Sequence, residues 1–303
     1  MMEQTDFCGI LSTFCPTILV KYQEPMASHT SFRIGGPSQA MAFPKDEGEL
    51  SALLALAAKE GWPVRILGAG TNVLAPDEGL AGLTICLKDC LDGMKRVNDR
   101  EIEVMAGVTM TRAAVFAAKN GLSGMEFAHG IPGTVGGGVY MNAGAYGGEI
   151  RQVCSQVTVL TRTGEKKVLS NDEMGFSYRH SALEDTGDIV LSARFALTPD
   201  SESAIRERMK ELMAKRSASQ PLDMPSAGSA FKRPVGGYAA ALIDGAGLKG
   251  FAVGGAAIST KHAGFAVNLG GATAADVRGL LRQVSDRVFA QTGIRLEPEV
   301  RIW

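Results

Sequence analysis

Three glycine clusters contain the residues best suited to hold a phosphate-bearing ligand. The longest, GIPGTVGGGVYMNAGAYGG (Gly130–Gly148), has eight glycines among nineteen residues. Ordered glycine costs roughly 0.5–1 kcal/mol relative to alanine, and a flexible linker would lack the interleaved Ile131, Val139 and Met141. The segment is therefore predicted to be ordered, with its backbone close either to a cofactor or to other parts of the protein.

The second cluster is GAGTN (Gly68–Asn72), directly after the strand-like sequence VRIL. Its glycines can bring backbone N–H groups to a phosphate oxygen, while Thr71 and Asn72 add side-chain donors. Taken alone, the motif fits a tight turn equally well. Two clusters about 60 residues apart favour a long diphosphate-bearing ligand, because a cofactor of FAD size needs more than one loop.

The third cluster, GAGLKG (Gly245–Gly250), has the residue pattern of the dinucleotide fingerprint GxGxxG but not its structural context. It follows the helical sequence YAAALID and precedes a strand-like one, whereas the fingerprint requires a strand, a turn and then a helix. We interpret it as a helix C-cap and turn.

The elements that position these clusters can be predicted from periodicity. Apolar residues at helical spacing or in alternation predict helices at 45–60, 111–119, 201–220, 238–243 and 273–291, and strands at 64–67, 83–87, 101–107, 153–160, 167–169, 189–197 and 295–303. Helix 201–220 should bury Ile205, Met209, Leu212 and Met213, and Thr273 with Asp276 has capping-box spacing. Helices and strands do not alternate regularly, which favours an α+β fold.

Composition excludes several classes of protein. The 303 residues suffice for two or three domains, and the net charge of −1 offers no basic surface for nucleic acid. No apolar run is long enough to span a bilayer, and the first residues are a poor secretory signal. Five cysteines without CxxC spacing and four scattered histidines predict neither a disulfide framework nor a metal site. We expect a cytoplasmic protein with free thiols.

Motifs across residues 29–303 resemble one family. HTSFRIGGP, ILGAGTNVL, GMEFAHGIPGTVGGGVYMNAGAYGGEI, FSYRHS, AGSAFKRP, STKHAGFAVN and LEPEVRIW occur in the order typical of the UDP-N-acetylenolpyruvoylglucosamine reductase family. After YRHS the chain lacks the inserted loop whose tyrosine closes over substrate in longer members, so it resembles the shorter branch. Residues 1–28 lie outside the resemblance.

The resemblance implies a PCMH-type FAD-binding domain of two subdomains plus a smaller α+β substrate-binding domain. We expect an N-terminal extension at 1–28, the FAD-binding domain at 29–200 with subdomains at about 29–70 and 71–200, the substrate-binding domain at 201–295, and a C-terminal strand at 296–303 that returns to the flavin site. The charged helix at 201–220 separates the first two-thirds of the chain from the rest, so we predict the domain boundary near residues 200–218.

The resemblance also implies non-covalent FAD, because the first glycine loop lacks the histidine that carries FAD covalently in related flavoproteins. The implied FAD-binding residues are Gly68, Ala69, Gly70, Thr71, Asn72, Gly130, Ile131, Pro132, Gly133, Thr134, Gly136, Gly137, Asn142, Ala143, Gly144 and Ala145. His129, beside the second loop, is more simply a packed or solvent-facing histidine.

The implied reaction uses NADPH to reduce UDP-N-acetylglucosamine enolpyruvate in peptidoglycan precursor synthesis, with no obligate protein partner. Ser229 would donate the proton, Arg179 would stabilise charge on the carboxylate, and Glu299 would polarise it as the neutral acid beside that anion. Judged from local sequence alone, a serine in AGS is usually a turn residue, and an arginine in YRHS is usually a surface or ion-paired residue. Glu297 and Glu299 cannot be distinguished, since residues two apart on a strand share a face.

Substrate contacts are implied less directly. Lys232 and Arg233 could meet the diphosphate or sugar, Tyr146 lies near the expected sugar site, and Tyr178 could contact substrate or pack beside Arg179. Longer members have asparagine in place of Arg233. Two rival hypotheses are another PCMH-type flavoprotein that oxidises sugars or lactones, and a non-catalytic nucleotide-binding module.

Overall fold

The computed structural model describes residues 4–303, with side chains from residue 7 onward. The chain forms two compact units. Unit 1 contains the described residues up to Gln23 together with Gln39–Ala69 and Ala81–Ala214, and unit 2 contains Glu24–Ser38, Gly70–Leu80 and Lys215–Trp303.

The helices and strands follow the predicted α+β pattern. The helices are α1 (Gln4–Phe14), α2 (Glu47–Glu60), α3 (Met110–Lys119), α4 (Val135–Tyr140), α5 (Ile150–Val153), α6 (Leu183–Thr186), α7 (Glu202–Ser219), α8 (Ala239–Gly245) and α9 (Ala274–Thr292). Short 3-10 helices lie at Met26–Ser28 and Glu126–Ala128. The strands are β1 (Leu19–Pro25), β2 (Pro37–Phe43), β3 (Val64–Leu67), β4 (Val73–Leu74), β5 (Leu80–Cys86), β6 (Met94–Arg96), β7 (Glu101–Met105), β8 (Leu122–Ser123), β9 (Gly144–Ala145), β10 (Gly148–Glu149), β11 (Cys154–Leu160), β12 (Lys166–Ser170), β13 (Ile189–Ala196), β14 (Thr198–Pro199), β15 (Ser226–Ser229), β16 (Ala252–Val253), β17 (Ala256–Ile258), β18 (Phe265–Asn268) and β19 (Arg301–Ile302).

Unit 1 is built on two larger sheets. One has the strand order β1-β2-β5-β3, and the other has the order β12-β11-β13-β7-β6, whose pairs are antiparallel. Burial alternates along β7, where Ile102 and Val104 are inaccessible, as expected for a strand with one face on the core. Asp46 caps the start of α2, and Gly61 ends it with a positive φ of 68°.

Unit 2 is a smaller α+β unit. Its main sheet has the order β15-β18-β17-β16, and α9 buries Val277, Leu280 and Val284 in the same core. The predicted capping box of α9, formed by Thr273 and Asp276, is confirmed. The C-terminal strand β19 pairs in parallel with β4, so it lies directly beside the strand that follows the GAGTN loop.

Most predicted elements are present, with ends shifted by one to three residues. The closing strand is shorter than predicted, since only Arg301–Ile302 forms it. The predicted apolar face of α7 is partly wrong: Ile205 and Met209 are buried, whereas Met213 is 38% exposed.

The units divide the chain differently from the predicted domains. The division falls inside α7, after Ala214, which lies within the predicted boundary region 200–218 but beyond residue 200, because Ile205 and Met209 join the core of unit 1. Residues 24–38 and 70–80 belong to unit 2. The sheet containing β2, β3 and β5 also continues past the expected subdomain boundary at residue 70.

No described helix is long and apolar enough to cross a membrane. Within residues 4–303, no group of three or more acidic, histidine or cysteine side chains is arranged to hold a metal ion. The five cysteines are free thiols.

Candidate active site

The two glycine loops meet inside unit 1. A β-carbon on Gly68 would lie 2.6 Å from Oγ1 of Thr134, so the first loop passes against the second with no room for a side chain. Thr134 is the N-cap of α4, and its hydroxyl accepts a hydrogen bond from the backbone N–H of Gly137 at 3.4 Å. Tertiary folding thus brings together two predicted cofactor loops that are distant in sequence.

The three consecutive glycines of the second loop have different roles. A β-carbon on Gly136 would lie 3.0 Å from Cβ of Ala106, and one on Gly138 would lie 2.7 Å from the sulfur of Met110. These two glycines let α4 pack closely on its own unit. Gly137 is exposed, and a β-carbon there would meet only Oγ1 of Thr134 at 3.6 Å. Gly137 therefore offers bare backbone to a ligand.

The rest of the long glycine segment forms a small hairpin. Gly144–Ala145 pairs with Gly148–Glu149, and the connecting Tyr146 and Gly147 both have positive φ, of 54° and 85°, as a type I′ turn requires. A β-carbon on Gly148 would clash with the ring of Phe127 at 2.6 Å. Tyr146 at the tip is 45% exposed.

Hydrogen bonds within unit 1 hold the central residues of the segment Gly130–Gly148 in place. Asn142 is fully buried, and its side-chain amide bonds to other parts of the chain. The backbone N–H of Ile150 donates to the carbonyl of Ala143 at 3.0 Å, and that of Ile131 donates to the carbonyl of Ala128 at 3.1 Å. Gly133 has a positive φ of 124° immediately before the cap of α4.

The GAGTN loop is divided between the units, with Gly68 and Ala69 in unit 1 and Gly70 to Asn72 in unit 2. A β-carbon on Gly70 would lie 2.0 Å from the carbonyl oxygen of His29, so the glycine permits this close approach. The carbonyl of Asn72 accepts a hydrogen bond from the N–H of Arg301 at 3.0 Å. The C-terminal strand therefore supports the end of this loop.

His129 stands at the start of the second loop. Its Nδ1 atom is buried and has no hydrogen-bond partner. Burial, followed by the positive charge of Arg206, lowers the pKa of the imidazole below its usual value, so the ring is neutral at pH 7. A buried ring nitrogen without a protein partner is uncommon, and it lies directly beside the segment with the exposed Gly137.

Arg179 lies at a tight turn of unit 1. Ser177 and His180 exchange backbone hydrogen bonds of 3.1 and 3.2 Å, which leaves Tyr178 and Arg179 at the tip. Arg179 has a positive φ of 56°, a conformation that is uncommon outside glycine. Its Nη2 donates to the carbonyl of Gly144 at 3.0 Å, and its guanidinium carbon lies 4.9 Å from the centre of the Tyr178 ring. The guanidinium is thus anchored to the second glycine loop.

Ser229 lies at an irregularity in β15. The register with β18 shifts between Ser226 and Ser229, and Gly228 has a positive φ of 77°. Strict alternation would place Ala227 and Ser229 on the same face, but Ala227 is buried and Ser229 is exposed. The irregularity therefore turns the hydroxyl out of the core, as bulges next to active sites often do.

Glu299 is brought next to the segment that carries Ser229. Its backbone N–H donates to the carbonyl of Ala230 at 3.0 Å, and the neighbouring Pro298 forms a bridge with Phe231. Glu297 has a different environment, because its side chain is 70% exposed and pairs with Nζ of Lys232. The structure thus separates two glutamates that the sequence left equivalent.

The remaining predicted substrate residues lie near this segment in unit 2. The N–H of Lys232 donates to the carbonyl of Glu297 at 2.8 Å. Arg233 stacks on Tyr238, with its guanidinium carbon 4.0 Å from the ring centre, and its Nε donates to the carbonyl of Gly237 at 3.3 Å. Unit 2 groups Ser229, Glu299, Lys232 and Arg233 on adjoining segments, whereas Arg179, Tyr178 and Tyr146 belong to unit 1.

One helix of the site was not predicted from the sequence, whereas the GAGLKG cluster was correctly rejected as a dinucleotide-binding motif. Helix α4 was not predicted, although a threonine before an apolar residue is a known N-cap signal. In the GAGLKG cluster, α8 ends at Gly245 and Gly247 has a positive φ of 70°. The prediction of a helix C-cap and turn there is confirmed.

Two family models match the chain, the FAD binding domain over residues 38–170 and the C-terminal domain of UDP-N-acetylenolpyruvoylglucosamine reductase over residues 220–303. Together with the fold and the glycine loops, they define the class of protein: an FAD-containing oxidoreductase with a PCMH-type FAD-binding domain and a separate C-terminal domain.

Full-length relatives give the family. The chain is 46% identical to the UDP-N-acetylenolpyruvoylglucosamine reductase of Agathobacter rectalis, over 99% of both chains, and 45% identical to that of Latilactobacillus sakei, over 94% of both. The crystal structure of the Thermus caldophilus enzyme superposes with a TM-score of 0.78 at 35% identity, covering 94% of this chain and 99% of that one. The protein belongs to the UDP-N-acetylenolpyruvoylglucosamine reductase family.

Proposed function

We propose that this protein reduces UDP-N-acetylglucosamine enolpyruvate to UDP-N-acetylmuramate in peptidoglycan precursor synthesis, with NADPH as hydride donor, and that it works in the cytoplasm. Family membership supports the reaction. One hydrogen bond supports the roles of particular residues in this reaction. The N–H of Glu299 donates to the carbonyl of Ala230, which joins the segment that contains Glu299 to the segment that contains Ser229.

The residues of unit 1 fit FAD. Gly137 offers exposed backbone next to Thr134, where the two loops touch, and the buried Nδ1 of His129, the residue before the second loop, has no protein partner. Gly68 and Ala69 of the GAGTN loop and the segment Gly130–Ala145, all in unit 1, would hold the cofactor without a covalent bond. The chemistry that bound FAD supplies is hydride transfer from NADPH to the enol ether.

The chain's own residues would manage charge and protons on the substrate. After hydride reaches the methylene carbon, negative charge develops on the adjacent carbon and spreads into the carboxylate. The guanidinium of Arg179 would stabilise this charge with its fork of donors. The hydroxyl of Ser229 would deliver its proton to the adjacent carbon, because the doubly charged enolate is basic enough to accept it. Glu299 would polarise the carboxylate as a neutral acid.

The other candidate substrate-binding residues are charged or aromatic. Lys232 and Arg233 carry positive charge suited to a diphosphate, and Tyr146 and Tyr178 are aromatic side chains 45% and 47% exposed. Because the chain lacks the tyrosine loop of longer family members, closure over substrate would depend on other residues.

An anaerobic absorbance experiment tests this function. The purified protein should absorb near 450 nm, lose that absorbance when NADPH is added, and regain it when the enolpyruvyl sugar follows. A flavin that NADPH bleaches but the enolpyruvyl sugar does not reoxidise would contradict the proposed substrate. Bleaching by free sugars or lactones in place of NADPH would indicate an oxidase of the same fold.

A further inference from the structure

Asn142 connects the second glycine loop to the turn that carries Arg179. Its side chain is fully buried. The amide nitrogen donates to the carbonyl of Ser177 at 2.9 Å and to Oε2 of Glu149 at 3.2 Å, and the amide oxygen accepts from the N–H of Arg151 at 2.9 Å. Both amide hydrogens therefore bond to acceptors within the protein, and one of these acceptors, the carbonyl of Ser177, lies two residues before Arg179.

Two further hydrogen bonds run between the same segments. The buried hydroxyl of Ser181 donates to the carbonyl of Tyr140 at 2.7 Å, and Nη2 of Arg179 donates to the carbonyl of Gly144 at 3.0 Å. Asn142 lies between these two points in sequence. The turn is thus held on both sides of the uncommon backbone conformation at Arg179, whose φ is 56°.

We propose that Asn142 is a positioning residue for Arg179: its buried amide fixes the turn Ser177–His180 so that the guanidinium meets the substrate carboxylate. The proposal rests on the proposed function, because the carboxylate belongs to the enolpyruvyl substrate. Holding a catalytic group in place matters because a misplacement of about 1 Å can slow a reaction by about 100-fold. The backbone conformation at Arg179 is strained for a non-glycine residue and persists only where surrounding contacts enforce it.

The variant Asn142→Gly isolates the side chain. Asn142 has a φ of 42°, which glycine adopts readily, so the substitution removes the amide and keeps the backbone conformation accessible. Asn171→Gly is a matched control in the same unit, since the Asn171 amide also donates to two backbone carbonyls, those of Arg151 and Cys154, at 2.8 and 2.6 Å.

The first measurement separates the half-reactions by anaerobic stopped flow on the FAD-loaded protein. In Asn142→Gly, reoxidation by the enolpyruvyl sugar should slow by about 10- to 100-fold more than flavin reduction by NADPH does, each measured relative to the parent. Added to Arg179→Ala, Asn142→Gly should slow reoxidation by less than about twofold more, because residues acting through one group are not additive. The proposal would be overturned if Asn142→Gly slowed both half-reactions equally. It would also be overturned if the double variant slowed reoxidation by the product of the factors measured for the two single variants.

The second measurement does not depend on substrate. Amide hydrogen exchange of the peptide containing residues 177–181 should accelerate in Asn142→Gly but not in Asn171→Gly; unchanged exchange in Asn142→Gly would overturn the proposal. If Asn142→Gly fails to fold, Asn142→Asp keeps the size of the side chain while placing a carboxylate against Glu149, and the same split between half-reactions is expected. Absence of reoxidation in the parent protein would instead refute the proposed function, and the exchange result would still decide the role of Asn142.

Discussion

Oγ1 of Thr134 lies 2.6 Å from the position that a β-carbon on Gly68 would occupy. Because the same hydroxyl caps α4 through the N–H of Gly137, the first glycine loop, the cap and the exposed backbone of Gly137 form one connected arrangement. A change at any of these three residues should affect the others.

Gly68→Ala is expected to displace the Thr134 side chain and thereby weaken the cap of α4. Loss of a threonine N-cap typically lowers the free energy of unfolding by about 1 kcal/mol. Denaturant unfolding should show a loss of at least this size in Gly68→Ala. The double variant Gly68→Ala with Thr134→Ala should be no less stable than Thr134→Ala alone, since the clash is gone; strictly additive losses would contradict the contact.

Gly137→Val should reduce flavin retention without unfolding the protein, because an added β-carbon would meet no protein atom closer than Oγ1 of Thr134, at 3.6 Å. The measurement is the ratio of absorbance at 450 nm to protein after purification, together with the unfolding midpoint. A variant that is purified with its full content of flavin would contradict the proposal that the backbone at Gly137 contacts FAD.

Two other glycines serve as controls for Gly137. Gly136→Ala should destabilise the fold, because its β-carbon would press against Ala106 at 3.0 Å. Gly9→Ala, in α1, should leave flavin content unchanged, because Gly9 is an exposed helical glycine with nothing within 4 Å of an added β-carbon.

Ser229→Ala should separate the two half-reactions. Flavin reduction by NADPH should be nearly intact, whereas reoxidation by the enolpyruvyl sugar should slow by about 100-fold or more, the usual contribution of a general acid. Because Ser229 is exposed in unit 2, removing its hydroxyl should not change stability. Equal losses in both half-reactions would refute its role as proton donor.

Glu126 should stabilise unit 1 in a pH-dependent way. Burial raises the pKa of its carboxyl, but hydrogen bonds from its own N–H, Arg208, Gly124 and Ser123 outweigh burial and hold the pKa below its usual value. A carboxyl with a lowered folded-state pKa contributes stability above its unfolded pKa of about 4.3 and loses it as pH falls through the folded pKa. Glu126→Gln should lower the free energy of unfolding by about 1–3 kcal/mol at pH 7.

The difference between the parent and Glu126→Gln should shrink as pH falls below about 4.3, which urea unfolding across this range can measure. Glu202→Gln is the matched control, because Glu202 forms an exposed ion pair with Arg206 of the same helix. Such pairs contribute about 0.3–0.5 kcal/mol. A constant difference across the pH range would show that Glu126 stabilises by packing rather than by charge.

Local sequence determined much of the fold. Apolar spacing located α2, α3 and α9, alternation located β7, and Thr273 with Asp276 marked the start of α9, because each signal depends on residues within one or two turns. The order of the glycine motifs, together with YRHS, AGSAF and LEPEV, pointed to the family and to Arg179, Ser229 and Glu299. Local patterns could also reject GAGLKG, since a helix precedes it.

Tertiary structure decided what individual residues of those motifs contact. Gly136 and Gly138 are packed against Ala106 and Met110, whereas Gly137 is open, and no local pattern separates three adjacent glycines. The pairing of Lys232 with Glu297 distinguishes that glutamate from Glu299 in the same way. Residues 24–38 and 70–80 join unit 2 through contacts with segments far along the chain. Such contacts form between segments that are distant in sequence, and a local sequence pattern does not specify which distant segments will pack together.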